Sequence, residues 1–234
     1  MTPRPHLSLI IPAYNEGTRL PRTLPLIVQF AKRRGAEVIV VDDGSSDGTA
    51  DIVRKTKDVH LVQNGRNRGK GFSVRHGMLE STGEWRLFMD ADLSTPLSEV
   101  DKLLAAGTPV AIGSRAVAGA NITKPQPFLR RLAGTAFRWL VSVLVFPGIR
   151  DTQCGFKLFR KDAAEAIFSR QRIEGFSFDV EALFLARKAG YQITEVPVEW
   201  HDDPLSKVHP VRDAYRMFHD ILKIRWNALL GRYR

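Results

Sequence analysis

Glu37-Val38-Ile39-Val40-Val41 is an almost unbroken β-branched run that ends in two acids, Asp42 and Asp43. A strand of this composition is buried on both faces, and such strands belong to parallel sheets covered by helices on either side. The neighbouring segments obey the same rule. Leu7 to Ile11 reads as a first strand ended by Pro12. Leu24, Ile27, Val28 and Ala31 recur at helical spacing and predict a helix over Leu20 to Arg34, stopped by Gly35. A short helix from Ala50 to Thr56, a strand at Val59 to Val62, a helix at Phe72 to Leu79 and a strand at Trp85 to Met89 follow. Strand and helix thus alternate three times, which predicts an α/β fold: a mostly parallel sheet flanked by helices.

The second half of the chain is less regular. Val110 to Arg115 reads as a strand with an arginine at its exit, and Lys161 to Phe168 as a helix. Another helix starts over Glu174 to Glu181 and reaches Ala189, and Ile193 to Trp200 alternates like a late strand in which Pro197 marks a sheet edge. Residues 1–200 are read as one domain and 201–234 as a basic amphipathic extension packed on or beside it. In that extension Tyr215, Phe218, Ile221, Leu222 and Leu229 share an apolar side, with Arg216, Lys223 and Arg225 elsewhere. Phe128 to Phe146 mixes aromatics such as Trp139 with Arg130, Arg131 and Arg138. It suits either a helix lying in a membrane interface or a core helix with a basic outer face.

The charge narrows the partners. A net charge of +10 and a pI near 10.0 favour a polyanion: nucleic acid, an anionic membrane surface or a phosphorylated substrate. No nucleic-acid-binding motif is present, and no apolar run reaches the length of a membrane span. The chain starts directly at its first strand, so membrane association is expected to be peripheral. The single cysteine, Cys154, excludes an internal disulfide and fits a reducing cytoplasm.

In parallel α/β sheets ligands bind at the carboxyl ends of strands, so the loops there carry the functional candidates. Leu87-Phe88-Met89 runs straight into Asp90-Ala91-Asp92. Two carboxylates that close repel unless a cation lies between them, and hard oxygen ligands with open positions suit Mg²⁺ or Mn²⁺ bridging to phosphate oxygens. Tyr14 and Glu16 follow the first strand and suit a base and its ribose; otherwise Tyr14 only covers the sheet end. Asp42 and Asp43 suit hydrogen bonds from a uracil N–H or a ribose. Asn67-Arg68-Gly69-Lys70-Gly71 sets glycines and cations ahead of a helix, an arrangement that binds anions.

Ile11-Pro12-Ala13-Tyr14-Asn15-Glu16, Val40-Val41-Asp42-Asp43-Gly44-Ser45 and Asp90-Ala91-Asp92, in that order, resemble the family-2 inverting glycosyltransferases of GT-A fold. Asn67 to Gly71, Gly113-Ser114-Arg115, the run Asp151 to Phe159, Phe178-Asp179-Val180-Glu181 and Ser206-Lys207 resemble the dolichyl-phosphate β-glucosyltransferase branch. The resemblance covers nearly the whole chain. It implies a Rossmann-like sheet with amphipathic membrane-facing helices, and transfer of glucose from UDP-glucose to a polyprenyl (dolichyl-type) phosphate at the cytoplasmic face of a membrane.

The resemblance also implies roles. Asp92, with Asp90, holds Mg²⁺ or Mn²⁺. Pro12, Tyr14, Glu16 and one of Asp42 or Asp43 form the nucleoside pocket. Arg68 and Lys70 meet the donor phosphates beside Asp90, Ala91 and Asp92. Arg115, Arg131 and Lys207 hold the acceptor phosphate. Asp151 resembles the catalytic acid of relatives and is expected to orient a cation or the sugar rather than remove a proton. The rival readings are GDP-mannose-dependent transfer to the same lipid, and a basic module that binds nucleotide sugar or nucleic acid without catalysis.

Overall fold

The computed structural model describes residues 6–124, 145, 147–203 and 210–233. Arg130, Arg131, Trp139 and Lys207, and most of the segment 128–146, lie outside the described residues. The helices are α1 (Leu20–Arg34), α2 (Thr49–Lys55), α3 (Lys70–Glu80), α4 (Val100–Ala105), α5 (Lys161–Phe168), α6 (Phe178–Lys188) and α7 (Pro210–Leu229). The strands are β1 (Leu7–Ala13), β2 (Glu37–Asp42), β3 (His60–Gln63), β4 (Trp85–Met89), β5 (Val110–Ser114), β6 (Asn121–Lys124), β7 (Phe156–Arg160), β8 (Ile193–Pro197) and β9 (Glu199–His201).

Seven strands form one sheet in the order β3-β2-β1-β4-β7-β5-β8. The pairs β1–β2, β1–β4, β2–β3 and β5–β8 are parallel. From β1 the chain runs outward one way through β2 and β3, then returns to the other side of β1 as β4. That reversal opens a crevice at the carboxyl ends of β1 and β4, the place where open α/β sheets bind ligands.

Residue alternation explains why both faces are dry. Leu9, Ile11, Val38, Val40 and Leu87 point to a layer containing Leu24 and Ile27 of α1 and Leu103 of α4. Ile10, Phe88, Val110 and Ile112 point to the opposite layer, with Val74 and Met78 of α3, Ile167 and Phe168 of α5, and Leu183 of α6. Helix α3 lies against the sheet because Gly77 lacks a side chain: a Cβ there would stand 2.6 Å from Ile10 Cγ2. Gly35 ends α1 at φ 58°, a left-handed conformation that favours glycine.

Three features depart from the sequence reading. Strand β7 was not anticipated; it enters the sheet between β4 and β5, antiparallel to both. Its Lys157 interrupts an apolar run, yet is buried as an ion pair with Asp179 at 2.5 Å. The expected strand Ile193 to Trp200 divides after Pro197: β8 closes the sheet edge, and β9 pairs with β6 in a separate ribbon. In α7, Ile221 does not share a side with Tyr215. Ile221, Ile224 and Asn227 are buried, while Tyr215, Phe218, Leu222, Trp226 and Leu229 are exposed.

No helix among the described residues is long and apolar enough to cross a membrane. Buried polar groups hold the chain end. Tyr233 donates to Glu181 Oε1 at 2.5 Å, and Glu181 Oε2 accepts the backbone N–H groups of Arg172 and Ile173 at 2.9 and 2.7 Å. Tyr233→Phe leaves this buried carboxylate one donor short. The expected cost is about 1.5–3 kcal/mol, typical of a hydrogen bond to a charged group, read as a lower urea midpoint.

Candidate active site

The loops after β1 and β2 are sewn together. Asn15, at φ 53°, donates its N–H to Ser45 Oγ and accepts from the Ser46 N–H through Oδ1, both at 2.9 Å. Glu16 N–H donates to Thr49 Oγ1, and Gly17 N–H to Asp47 Oδ2, both at 2.8 Å. A Cβ on Gly17 would stand 2.7 Å from the Asp47 carbonyl oxygen, so the loops touch directly. The result presents Pro12, Tyr14 and Glu16 on one wall of a cleft. The Glu16 carboxylate pairs with Arg19, which also donates to Asp203 at 3.1 Å.

Asp42 and Asp43 are both buried but differ in what they hold. Asp42 accepts from Ser45 N–H at 3.2 Å and Gln63 Nε2 at 3.4 Å. Asp43 borders the cleft and anchors the glycine-rich loop. Its carboxylate accepts the N–H groups of Arg68 and Gly69 at 2.9 and 2.8 Å, and Asn64 Nδ2 at 2.8 Å. The anion at the start of α3 is therefore Asp43 itself. Arg68 stacks on Phe72 and pairs with Glu174 at 2.5 Å. Gly69 and Gly71 permit this packing, since a Cβ on Gly71 would come within 2.6 Å of the Ile173 carbonyl oxygen.

Asp90 and Asp92 stand just past β4, in the same cleft as Tyr14 and Lys70. Lys70 Nζ lies 2.6 Å from Asp90 Oδ1. Burial works against the lysine charge, but Asp90 and then Asp179 outweigh it and hold the Lys70 pKa above its ordinary value. Asp92 Oδ1 accepts the Ser94 N–H at 2.8 Å. Burial first, and Asp90 second, push Asp92 above the ordinary carboxylate range.

The unanticipated β7 is what fixes this pair. Asp90 N–H donates to the Gly155 carbonyl at 3.1 Å, and a Cβ on Gly155 would collide with the Asp90 carboxylate. Lys157 Nζ donates to the Cys154 carbonyl at 2.5 Å and so holds the same turn.

This donor set fits a small hard divalent cation. Burial and the neighbouring Asp90 make ionised Asp92 costly, and a divalent cation between the two carboxylates would offset that cost. Among the described residues no group of three or more His, Cys, Asp or Glu side chains clusters as metal ligands. Two carboxylates would leave such a cation coordination positions for water and substrate phosphate, as Mg²⁺ or Mn²⁺ sites commonly have.

Arg115 and Asp151 meet on the other flank of Asp90. Arg115 donates from N and Nε to Asp151 Oδ2 at 2.9 and 2.7 Å, and from Nη2 to Oδ1 at 2.9 Å. Burial opposes the Asp151 charge, but Arg115 outweighs it and holds the carboxyl below its usual range. With Gln153 N–H also donating to Oδ1 at 3.3 Å, both oxygens are engaged. Asp151 is thus built to orient the guanidinium, which stands 5.1 Å from the Trp200 ring centroid.

Sequence reasoning missed the support beneath this pair. Glu195 accepts Ser114 Oγ at 2.7 Å and the N–H groups of Arg150 and Asp151 at 2.8 and 2.9 Å. It also missed that α7 and the loop before α6 form a wall of the cleft, through Arg172, Phe176, Arg216 and Lys223. The cleft encloses about 1000 Å³, the upper end of the range for ligand sites.

The sheet is thus mostly parallel with one reversed strand, and it bears an acid pair and a cleft at its switch point. Solved structures share the fold. Glucosyl-3-phosphoglycerate synthase from Mycobacterium tuberculosis, in complex with Mn²⁺ and UDP-glucose, superposes with TM-score 0.68 at 17% identity, covering 97% of this chain and 79% of that one. Mannosyl-3-phosphoglycerate synthase from Rubrobacter xylanophilus gives TM-score 0.70 at 17% identity, covering 97% and 75%.

The model of Glycosyl transferase family 2 matches residues 8–168, and the chain belongs to that family. It is 36% identical to the human dolichyl-phosphate β-glucosyltransferase over 100% of this chain and 79% of that protein. Against the Saccharomyces cerevisiae enzyme of the same name it is 36% identical over 97% and 76%.

Proposed function

We propose that the protein transfers glucose from UDP-glucose to a polyprenyl phosphate of dolichyl type, with inversion at the anomeric carbon and dependence on Mg²⁺ or Mn²⁺. The observation that carries this reading is one cleft lined jointly by Tyr14 and Glu16, by Lys70, and by Asp90 and Asp92. The names of the relatives support glucose and the lipid phosphate; the UDP and Mn²⁺ complexes of the fold neighbours accord with the donor and the metal.

Pro12, Tyr14 and Glu16 would receive the nucleoside, with Asp43 holding the loop opposite. Asp90 and Asp92 would hold the cation, which when bound supplies Lewis-acid neutralisation of the departing diphosphate. The C1–O bond to UDP breaks with its electron pair going to UDP, and an acceptor phosphate oxygen forms the new bond to C1. A phosphate monoester has a second pKa near about 6, so the nucleophile is already ionised at neutral pH and needs no base. That agrees with Asp151 being saturated by Arg115. Arg115, steadied by Asp151 and Trp200, would hold the acceptor phosphate in line. Arg131 and Lys207 are proposed to join it.

Access to the lipid is proposed through α7. Tyr215, Phe218, Leu222, Trp226 and Leu229 follow steps of three and four along one side of the helix and are bare; Tyr215 is 73% and Leu229 76% exposed. Arg216, Lys223 and Arg225 flank them. An apolar stripe edged by cations suits shallow seating on an anionic bilayer, here the cytoplasmic leaflet, which accords with a buried free Cys154.

The test is product identification. The protein is incubated with Mg²⁺, a short polyprenyl phosphate in vesicles and a panel of nucleotide sugars, and the lipid product is weighed by mass spectrometry. A hexosyl polyprenyl phosphate formed from UDP-glucose is expected. Product from GDP-mannose instead would move the protein to mannosyl transfer.

A further inference from the structure

Helix α7 has a third side. Arg216, His219 and Lys223 recur at steps of three and four, between the buried row and the bare apolar row, and line the cleft that holds Lys70, Asp90 and Asp92. We infer that this row is part of the donor-phosphate site and stabilises the nucleoside diphosphate as it leaves. The inference deepens the donor reading above and rests on it.

Position is the first argument. The Asp220 carboxylate of α7 lies beside Gly175. The neighbouring Glu174 pairs with Arg68, and its carbonyl accepts the Phe72 N–H at 3.2 Å. Helix α7 therefore stands on the flank of the glycine-rich loop. Arg115 and Asp151 are absent from the lining of this cleft. Trp200, against which Arg115 stacks, borders a crevice with Ser94 and Thr95 on the other flank of Asp90. In a single in-line displacement the nucleophile and the leaving group lie on opposite sides of the reacting carbon. With Arg115 on the nucleophile's side, cations beside the glycine-rich loop serve the leaving group.

Charge is the second argument. The cations and N–H groups that the loop itself offers already face acids of the chain: Arg68 faces Glu174, Lys70 faces Asp90, and the N–H groups of Arg68 and Gly69 face Asp43. Arg216 and Lys223, set against the single carboxylate that the described residues of α7 bring to the cleft, Asp220, add positive charge to that flank. The cleft, at about 1000 Å³, is large enough for a nucleoside diphosphate sugar.

The test compares the unaltered protein with Arg216→Ala/Lys223→Ala, whose altered side chains are exposed and leave Ile221, Ile224 and Asn227 in place. Calorimetry with UDP and Mn²⁺ is expected to show affinity lowered about 2- to 30-fold, the range for removing two exposed charge contacts, with the gap narrowing as salt rises. Uridine affinity, read by competition, and the KM for the lipid acceptor in uncharged vesicles, where the bilayer role of these cations is silent, should not move. Unchanged UDP affinity overturns the inference. So does an equal loss for uridine, which marks a deformed cleft, or a rise in acceptor KM alone, which gives the row to the other substrate. If the unaltered protein binds GDP and not UDP, the donor reading fails, and GDP against guanosine then decides the role of the row. Binding of neither overturns both.

Discussion

Asp92→Ala is expected to lower the transfer rate by about 10²–10³-fold, the loss found when one preorganised electrostatic stabiliser is removed. The unaltered protein should lose activity in EDTA and regain it on adding Mg²⁺ or Mn²⁺, and the variant should bind UDP equally with and without metal. The fold should survive. In the metal-free protein burial and Asp90 push Asp92 above the usual carboxylate range, so its ionised form is unfavourable in the folded state and its removal relieves that cost. That relief opposes the loss of the hydrogen bond from the Ser94 N–H, so the metal-free variant should melt close to the unaltered protein. Full activity in excess EDTA would refute the metal site.

Asp151→Asn should have the largest effect on stability. Asp151 is 1% exposed and takes three hydrogen bonds from Arg115. Asparagine turns an N–H₂ toward those donors and leaves Arg115 without its counter-charge. Removing one partner of a buried pair costs about 3–5 kcal/mol, read as a lower urea midpoint at pH 7. The sign of the pH dependence follows from the depressed folded pKa. The stability that Asp151 contributes is complete above the ordinary carboxylate pKa, roughly 4, and is lost as the pH falls through the lower folded value. The gap between the two proteins should narrow in acid. The KM for the lipid acceptor should rise while that for UDP-glucose holds; a gap constant with pH, or an unmoved acceptor KM, would contradict the role given to Asp151.

The framework was legible because its signals are local. Leu20–Arg34, Trp85–Met89 and Lys161–Phe168 follow from apolar spacing and from stops such as Gly35. What stayed hidden depends on partners distant in sequence. Lys157 makes Phe156–Arg160 look half polar until Asp179, on another element, is placed beside it. Glu195 looks like an outward residue of an edge strand, yet it holds the backbone of Arg150 and Asp151. Asp43 ends a strand as a ligand-binding acid would, and in space it anchors Arg68 and Gly69. Helix α7 is apolar on two sides, Ile221 with Ile224 and Phe218 with Leu222, so periodicity alone cannot say which side turns inward. The acid pair was legible as a motif; the turn at Gly155 that seats it was not.

The three-sided character of α7 has a thermodynamic consequence. Among the described side chains of α7, full burial falls at Ile221, Ile224 and Asn227, while the cleft-lining stretch from Tyr215 to Asp220 includes none. The bare apolar row runs the length of the described rod, from Tyr215 to Leu229. Under the roles proposed above, a bilayer resting on that row would order the half in which no described side chain is fully buried, and a nucleotide held by Arg216 and Lys223 would order the same half from within. Each ligand would then meet a segment whose ordering entropy the other has already removed. Reciprocity makes the two gains equal: whatever factor a bilayer adds to nucleotide affinity, the nucleotide adds to affinity for the bilayer.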